Sequence, residues 1–387
     1  MISSFSLKNL PQIHFGVGRI SEVPRLLSSF GSRVLVILGS GSFTGSDGWK
    51  TLLASFSSFD LVLVEQVQGE PSPEAVDELV NRYRDQRIEV VLAIGGGSVI
   101  DAGKAISAML VEGGEVCRFL EGIGTKKPSG GKIPFIAVPT TAGTGSEATS
   151  NAVLSRTGSQ GFKRSLRHDN YIPDIAVVDP ALTLSCPQGL TVACGMDAFS
   201  QLVEAYLSTH SSAFTDALAL DGIVAVRRSL EAACNDGGNL SARTDMAYAA
   251  LLSGIVLAHA GLGVIHGFAS SIGGFFAIPH GIICGALMSE SNRVTLARLR
   301  RTGENPAALD KYSRLGRLFS QEAGGTSAFY QDAFISELTR LKLGIGTLGH
   351  YGIAETDFDR ILDQTGNKNN PAVLDREEMR EILSAKL

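Results

Sequence analysis

The chain has 387 residues, of which 44% are hydrophobic and 19% charged, and a formal net charge of -5. That length exceeds one ordinary core and predicts about two domains. The mildly acidic balance argues against nucleic acid, whose binders carry a basic patch or stripe. No uninterrupted apolar run is long enough to span a bilayer, and Met1-Ile2-Ser3-Ser4-Phe5 lacks the basic and apolar regions of a secretory signal.

In chain order, Arg33 to Leu38 reads as a buried strand ending at Gly39-Ser40-Gly41-Ser42, and Leu61 to Val64 as a second. Pro73 to Arg87 follows as a helix with Ser72 at its N-cap. Val90 to Ile94 is a third strand, then comes a glycine turn and a helix over Val99 to Leu110. Ile133 to Val138 and Ile175 to Val178 complete the strands. Strands alternating with helices imply parallel pairing through right-handed crossovers, and such sheets bind ligands beyond the carboxyl ends of their strands. After Asp179-Pro180 strand patterns nearly vanish, and 188–209, 212–234, 241–260, 306–322 and 326–341 read as helices. The expected fold is an α/β nucleotide-binding domain with a parallel sheet over residues 1–183, then an all-α domain over 184–387.

Ile94-Gly95-Gly96-Gly97-Ser98-Val99-Ile100-Asp101 joins a strand to a helix. Two readings stand side by side. Three glycines let the backbone approach a pyrophosphate while the helix start aims free N–H groups at it. Alternatively this is a tight turn, with Ser98 as cap and Asp101 as a first-turn charge. The spacing is not G-x-G-x-x-G, so an ordinary Rossmann dehydrogenase is not indicated. A second loop, Pro139-Thr140-Thr141-Ala142-Gly143-Thr144-Gly145-Ser146-Glu147, carries four hydroxyls and two glycines suited to phosphate and ribose oxygens, or is an irregular hydroxyl-rich loop.

Asp197 and Gln201 share a helical face at i and i+4, and His266 and His280 lie 14 residues apart. Asp and His suit zinc or ferrous iron; the competing reading is a core histidine and an N-terminal helix charge. The five cysteines are scattered and form no C-x-x-C pair, which argues against a disulfide framework or a Cys-based zinc site and makes a reducing, cytoplasmic setting the default.

Taken together, these stretches resemble the iron-containing alcohol dehydrogenase family, which has the dehydroquinate synthase-like fold. The matching pieces are Gly95 to Ala105, Pro139 to Glu147, Asp179-Pro180-Ala181-Leu182, Gly195-Met196-Asp197-Ala198 with Glu204-Ala205-Tyr206, and Ala260 to Gly263 through His266 to Pro279-His280-Gly281. His14 to Gly18 and Asn370-Pro371 fit at the two ends. The resemblance implies a metal-dependent, NAD(P)-linked alcohol dehydrogenase or aldehyde reductase acting on a small alcohol or aldehyde, and a homodimer. It assigns Asp197, His266 and His280 as catalytic metal ligands for iron or zinc. It places the cofactor against Gly39, Gly96, Gly97, Ser98, Asp101, Thr140, Thr141, Thr144, Ser146, Lys163 and Leu182. Family members usually ligate through one Asp and three His, and the fourth position here is Gln201, which is a ligand through its amide oxygen, a place for water, or the mark of a site that holds metal poorly. Ser270 stands where many members have a His near substrate. His259, on roughly the face of His266 if the helix is continuous, is a spare proton relay or a structural residue. Gly39 with Ser40-Gly41-Ser42 brings no carboxylate to repel a 2′-phosphate, which tilts the choice toward NADP over NAD. Arg164, Arg167 and His168 read as a solvated surface, with an anionic substrate as the other reading. A maleylacetate-reductase-like enzyme and a dehydroquinate-synthase-like lyase using NAD transiently are the competing functions.

Overall fold

The computed structural model describes residues 4–39, 42–158, 161–341 and 343–387. Ser40 and Gly41 of the loop read for cofactor choice, and Met1 to Ser3 at the start, lie outside the described residues. The strands are β1 (Gln12–Phe15), β2 (Arg33–Gly39), β3 (Leu61–Val67), β4 (Val90–Gly95), β5 (Phe135–Pro139), β6 (Asn151–Arg156), β7 (Phe162–Arg167) and β8 (Ile175–Val178). Six form a parallel sheet in the order β1-β8-β5-β4-β2-β3, while β6 and β7 pair as a separate antiparallel hairpin.

Helices α1 (Val23–Ser28), α2 (Asp47–Ser55), α3 (Pro73–Tyr83) and α4 (Gly97–Glu112) flank the sheet. Period-2 alternation sends Leu35, Ile37, Val91 and Ala93 to one face, packed with Val76, Val80 and Ile106 of α3 and α4. Val34, Val36, Leu92 and Ile94 go to the other, against Leu26, Trp49 and Leu52 of α1 and α2. Burial on both faces is why these strands read as continuous apolar runs. The chain leaves β2 for the edge strand β3, then crosses back to β4 on the far side of β2. The strand order therefore reverses between β2 and β4, the crevice where open α/β sheets take ligands.

The rest of the chain is helical: α5 (Gln188–Leu207), α6 (Ala213–Asn235), α7 (Leu240–Ala260), α8 (Val264–Phe275), α9 (His280–Thr302), α10 (Pro306–Phe319), α11 (Ser327–Arg340), α12 (Phe358–Gln364) and α13 (Arg376–Ser384). Among the described residues no strand follows β8. The five helices expected after Pro180 correspond to α5, α6, α7, α10 and α11; the largest difference is that 306–322 ends at Phe319. Helix α5 is buried on all sides over most of its length, as a central helix must be. Ser72 caps α3 as expected, its Oγ accepting from Ala75 N at 3.2 Å. Among the described residues no single helix is long and apolar enough to cross a membrane.

The hairpin β6/β7 was not expected. Its sequence Phe162-Lys163-Arg164-Ser165-Leu166-Arg167 alternates, but the polar residues dominate, so it lacks an apolar strand pattern.

Candidate active site

Strand β4 ends at Gly95, and α4 begins at Gly97 with Gly96 as its N-cap. Gly96 is extended (φ -71, ψ 179) and offers no side-chain cap bond, which leaves first-turn N–H groups free for a ligand. The capped-turn reading is thereby corrected in both parts. Ser98 sits inside the first turn and does not cap. Asp101 lies a turn further on, where its carboxylate accepts from Ser146 Oγ and, at 3.1 Å, from Val153 N. Burial raises the Asp101 carboxyl above its ordinary range, against the pull of Lys104 and Ser146.

Glycine is required at this turn for space. A Cβ on Gly97 would stand 2.5 Å from the Thr144 side chain, and one on Gly95 2.6 Å from Val99. The missing side chain at Gly97 lets the second loop close against the first. Lys104, buried under both, holds that loop by donating to Ser146 O and Asn151 O at 2.8 Å each. Burial pushes Lys104 down to about 8 and its neighbour Glu147 up to about 7. Gly39, Gly96, Gly97, Ser98, Thr140, Thr141, Thr144 and Leu182 line one continuous groove at the β2/β4 crevice. Asp101, Ser146 and Lys163 line the adjoining cavity, and Gly97, Ser98, Thr144, Glu70, Asp197 and His280 border both.

The opposite wall comes from three helices. Asp197 lies mid-way along α5, not at a helix start, so the end-charge reading is corrected. His266 is in the first turn of α8 and His280 opens α9. His266 Nε2 lies 3.4 Å from Asp197 Oδ1, and His280 Nε2 3.8 Å from the same oxygen. The Cys284 Sγ is 3.8 Å from His266 Nε2. One ligand atom from each of Asp197, His266, His280 and Cys284 falls within 4.8 Å of all the others. Asp197 Oδ1 is buried with no hydrogen-bond partner, which is costly unless a cation meets it. Glu204 Oε2 lies 2.6 Å from His266 Nδ1 and its Oε1 accepts from Ile265 N. That carboxylate fixes the imidazole with Nε2 toward the cluster, the support a metal-bound histidine ordinarily has. The residues fit a divalent cation.

Electrostatics agree with the geometry. Burial opposes charge on Asp197, but His280 and His266 outweigh it and hold the carboxyl below its usual range. Burial likewise opposes charge on His266, yet Cys284, Glu204 and Asp197 raise it well above an ordinary imidazole. The buried Cys284 thiol is brought down to about 7, burial being outweighed by His266 and His280.

Gln201 shares the Asp197 face and borders the cavity, with its Oε1 accepting from Ser253 Oγ at 2.7 Å. Ser270 donates to His266 O, and Lys368 Nζ donates to the same carbonyl at 2.9 Å, filling the space beside it. His259 is no relay: α7 and α8 meet at a 100° break, and its Nε2 accepts from Lys8 N at 3.1 Å. Lys163, Ser165 and Arg167 alternate along β7 and border the cavity; Arg167 is exposed, in keeping with the solvated-surface reading, and pairs with Glu121 at 2.8 Å. Lys163 pairs with Glu70. Sequence reading missed Cys284, Glu70 and Lys368. Cys284 was findable, since it stands at i+4 from His280 on one helix.

The description "Iron-containing alcohol dehydrogenase" matches residues 11–180, and "Fe-containing alcohol dehydrogenase family, C-terminal" matches 191–387. The chain belongs to the iron-containing alcohol dehydrogenase family. It is 34% identical over 300 residues to alcohol dehydrogenase 4 of Saccharomyces cerevisiae, covering 76% of this chain and 77% of that protein. It is 31% identical over 361 residues to long-chain-alcohol dehydrogenase 1 of Geobacillus thermodenitrificans, covering 91% and 87%. The solved alcohol dehydrogenase of Oenococcus oeni superposes with a TM-score of 0.88 at 28% identity, covering 99% and 100%. As a member of this family the chain is an oxidoreductase, a metal-dependent alcohol dehydrogenase linked to NAD(P). Relatives include enzymes named for dependence on NAD and on NADPH.

Proposed function

We propose that this dehydrogenase interconverts a small alcohol and its aldehyde across the cleft between the glycine turn and the Asp197 cluster, with NADP(H) as the favoured cofactor. The observation that carries this reading is the shared border. Gly97 and Ser98 from the cofactor wall and Asp197 and His280 from the metal wall line the same two adjoining cavities.

In this reading Asp197, His266 and His280 hold iron or zinc. A divalent cation there supplies Lewis acidity, lowering the pKa of an alcohol or polarising a carbonyl. The nicotinamide supplies the hydride chemistry. The chain's own residues do the positioning. Free N–H groups at Gly97 and Ser98 take the pyrophosphate, and Thr140, Thr141, Thr144 and Leu182 shape the groove. Ser146 and Asp101 brace the second loop, and Lys163 stands at the seam of the two walls. The Ser270 hydroxyl hydrogen is committed to His266 O, so water or the ribose hydroxyls of the cofactor would take the alcohol proton.

The NADP preference rests on Gly39, the last residue of β2, which brings no carboxylate to the groove. Gly39→Asp should move the preference toward NAD by roughly tenfold or more, the cost of setting like charges together. We further assign residues 1–183 to the cofactor and 184–387 to metal and substrate. We assign a cytoplasmic setting and a homodimer, with no nucleic-acid or membrane partner; sedimentation checks the dimer. The deciding assay follows NADPH and NADH oxidation by the zinc- or iron-loaded enzyme across a panel of small aldehydes. Turnover that chelation stops is the expected result; no change in nucleotide absorbance with any aldehyde overturns the reading.

A further inference from the structure

We propose that Cys284, rather than Gln201, is the fourth protein ligand, so that this chain holds its metal through one carboxylate, two imidazoles and one thiolate. The inference rests on the metal-dependent reading above and specifies what the cation touches.

Three observations carry it. The first is distance. Bonds of about 2.0–2.3 Å set ligand-to-ligand edges of about 3.3–3.8 Å in a four-ligand tetrahedral arrangement, which would expand to five-coordinate when a substrate oxygen joins it. The contacts in the cluster are 3.4 Å (Asp197 to His266), 3.8 Å (Asp197 to His280) and 3.8 Å (His266 to Cys284). The second is register. Cys284 follows His280 by one turn of α9, so one helix face presents both donors without any loop to order. The third is what Gln201 does. Its Oε1 lies 2.7 Å from Ser253 Oγ, which ties the amide to α7 and turns part of its acceptor capacity away from the cluster.

Cys284 is a free thiol, fully buried, and its side chain meets both His266 and His280. On binding, the S–H bond breaks, the sulfur–metal bond forms and the proton passes to solvent. Asp197 and Cys284 then bring two negative charges to a divalent ion, which makes the site neutral. That is the charge count of the Cys₂His catalytic zinc site of another alcohol dehydrogenase class. A soft thiolate also favours zinc over ferrous iron. The His280 side chain is 24% exposed while Asp197 and His266 are at 3% and 5%, so the cluster opens to the cleft on the His280 side.

The test is spectroscopic. The full-length protein is stripped with a chelator and reconstituted with cobalt(II) or zinc. Wild type and Gln201→Ala should show a near-ultraviolet thiolate-to-cobalt charge-transfer band, and Cys284→Ser should lack it. Zinc affinity of Cys284→Ser should fall by more than the roughly 10–100-fold that an outer partner costs. X-ray absorption of zinc-loaded wild type needs no variant to fold, and should show one sulfur at about 2.3 Å. A protein that binds metal with no sulfur neighbour and no thiolate band overturns the assignment and leaves the dehydrogenase reading standing. Loss of affinity in Gln201→Ala but not in Cys284→Ser does the same. Failure of wild type to bind either metal overturns both.

Discussion

The two walls of the cleft are built by opposite means. The cofactor wall is backbone: glycines at strand ends, a helix start without a side-chain cap, and a hydroxyl loop seated where Gly97 has no Cβ. The metal wall is side chain, with an Asp, two His and a Cys brought from α5, α8 and α9 into one buried cluster. The first wall recognises by shape and directed N–H groups, the second by charge. One should therefore fail when atoms are added, the other when charge is removed.

The sharpest break in that comparison is Asp197→Asn. It keeps the volume but removes the charge on the oxygen that no protein group satisfies. The expected result is loss of bound metal and a fall in kcat of about a thousandfold, the several kcal/mol a Lewis acid supplies. Metal analysis alongside a nucleotide-binding titration separates the walls, since cofactor affinity should hold. Gly97→Ala is the converse. Its methyl must displace Thr144, and KM for the nicotinamide should rise by roughly 10–100-fold, the cost of about 1.4–2.8 kcal/mol, with metal content unchanged. Equal damage to both walls in either variant would mean they are not independent. Glu204→Gln is milder. It leaves every ligand in place but weakens the hold on His266, and zinc affinity should drop by about 10–100-fold.

A separate effect falls on stability beneath the cofactor wall, where neither ligand is touched. Burial lifts Glu147 from 4.5 to about 7. Its contribution is then fully present below pH 4.5 and is lost as pH rises through about 7, because ionising the buried carboxyl costs the folded state. Glu147→Gln should flatten the fall in Tm between pH 5 and about 7.5, a difference of up to about 3 kcal/mol. Thermal melts across that range check it. A wild-type Tm that stays level, or a variant that falls as steeply, removes Glu147 as the cause.

The same contrast explains what could be read from the chain alone. Val90 to Ile94 and the glycines after it are contiguous, so strand, turn and helix start are visible together. The metal wall depends on contacts between residues far apart in sequence, such as Asp197 and His266, and only the family resemblance joined them. Cys284 is hidden from a C-x-x-C pattern, which ignores a thiol paired with His280 at i+4. Lys163, Ser165 and Arg167 form the polar face of a strand whose water-side is a cleft, so charge pattern finds the exposed Arg167 but not the cavity beside it. Lys368 holds a positive φ of 49° in an irregular segment, where no periodicity marks it.

The corner between α7 and α8 turns at Gly261-Leu262-Gly263, and residues near the chain's end close it. Asn369 N donates to Leu262 O, Asn369 Nδ2 donates to Ala260 O, and Lys368 holds His266 O. The ribosome therefore delivers the two halves of this enzyme on different schedules. Every strand of the cofactor sheet has been synthesised once Val178 is made. The helix carrying His266 gains its clasp only when residues 368–369 of 387 have emerged. A nascent chain passes through a long interval in which it has all the strands of its cofactor sheet and an unfinished metal site.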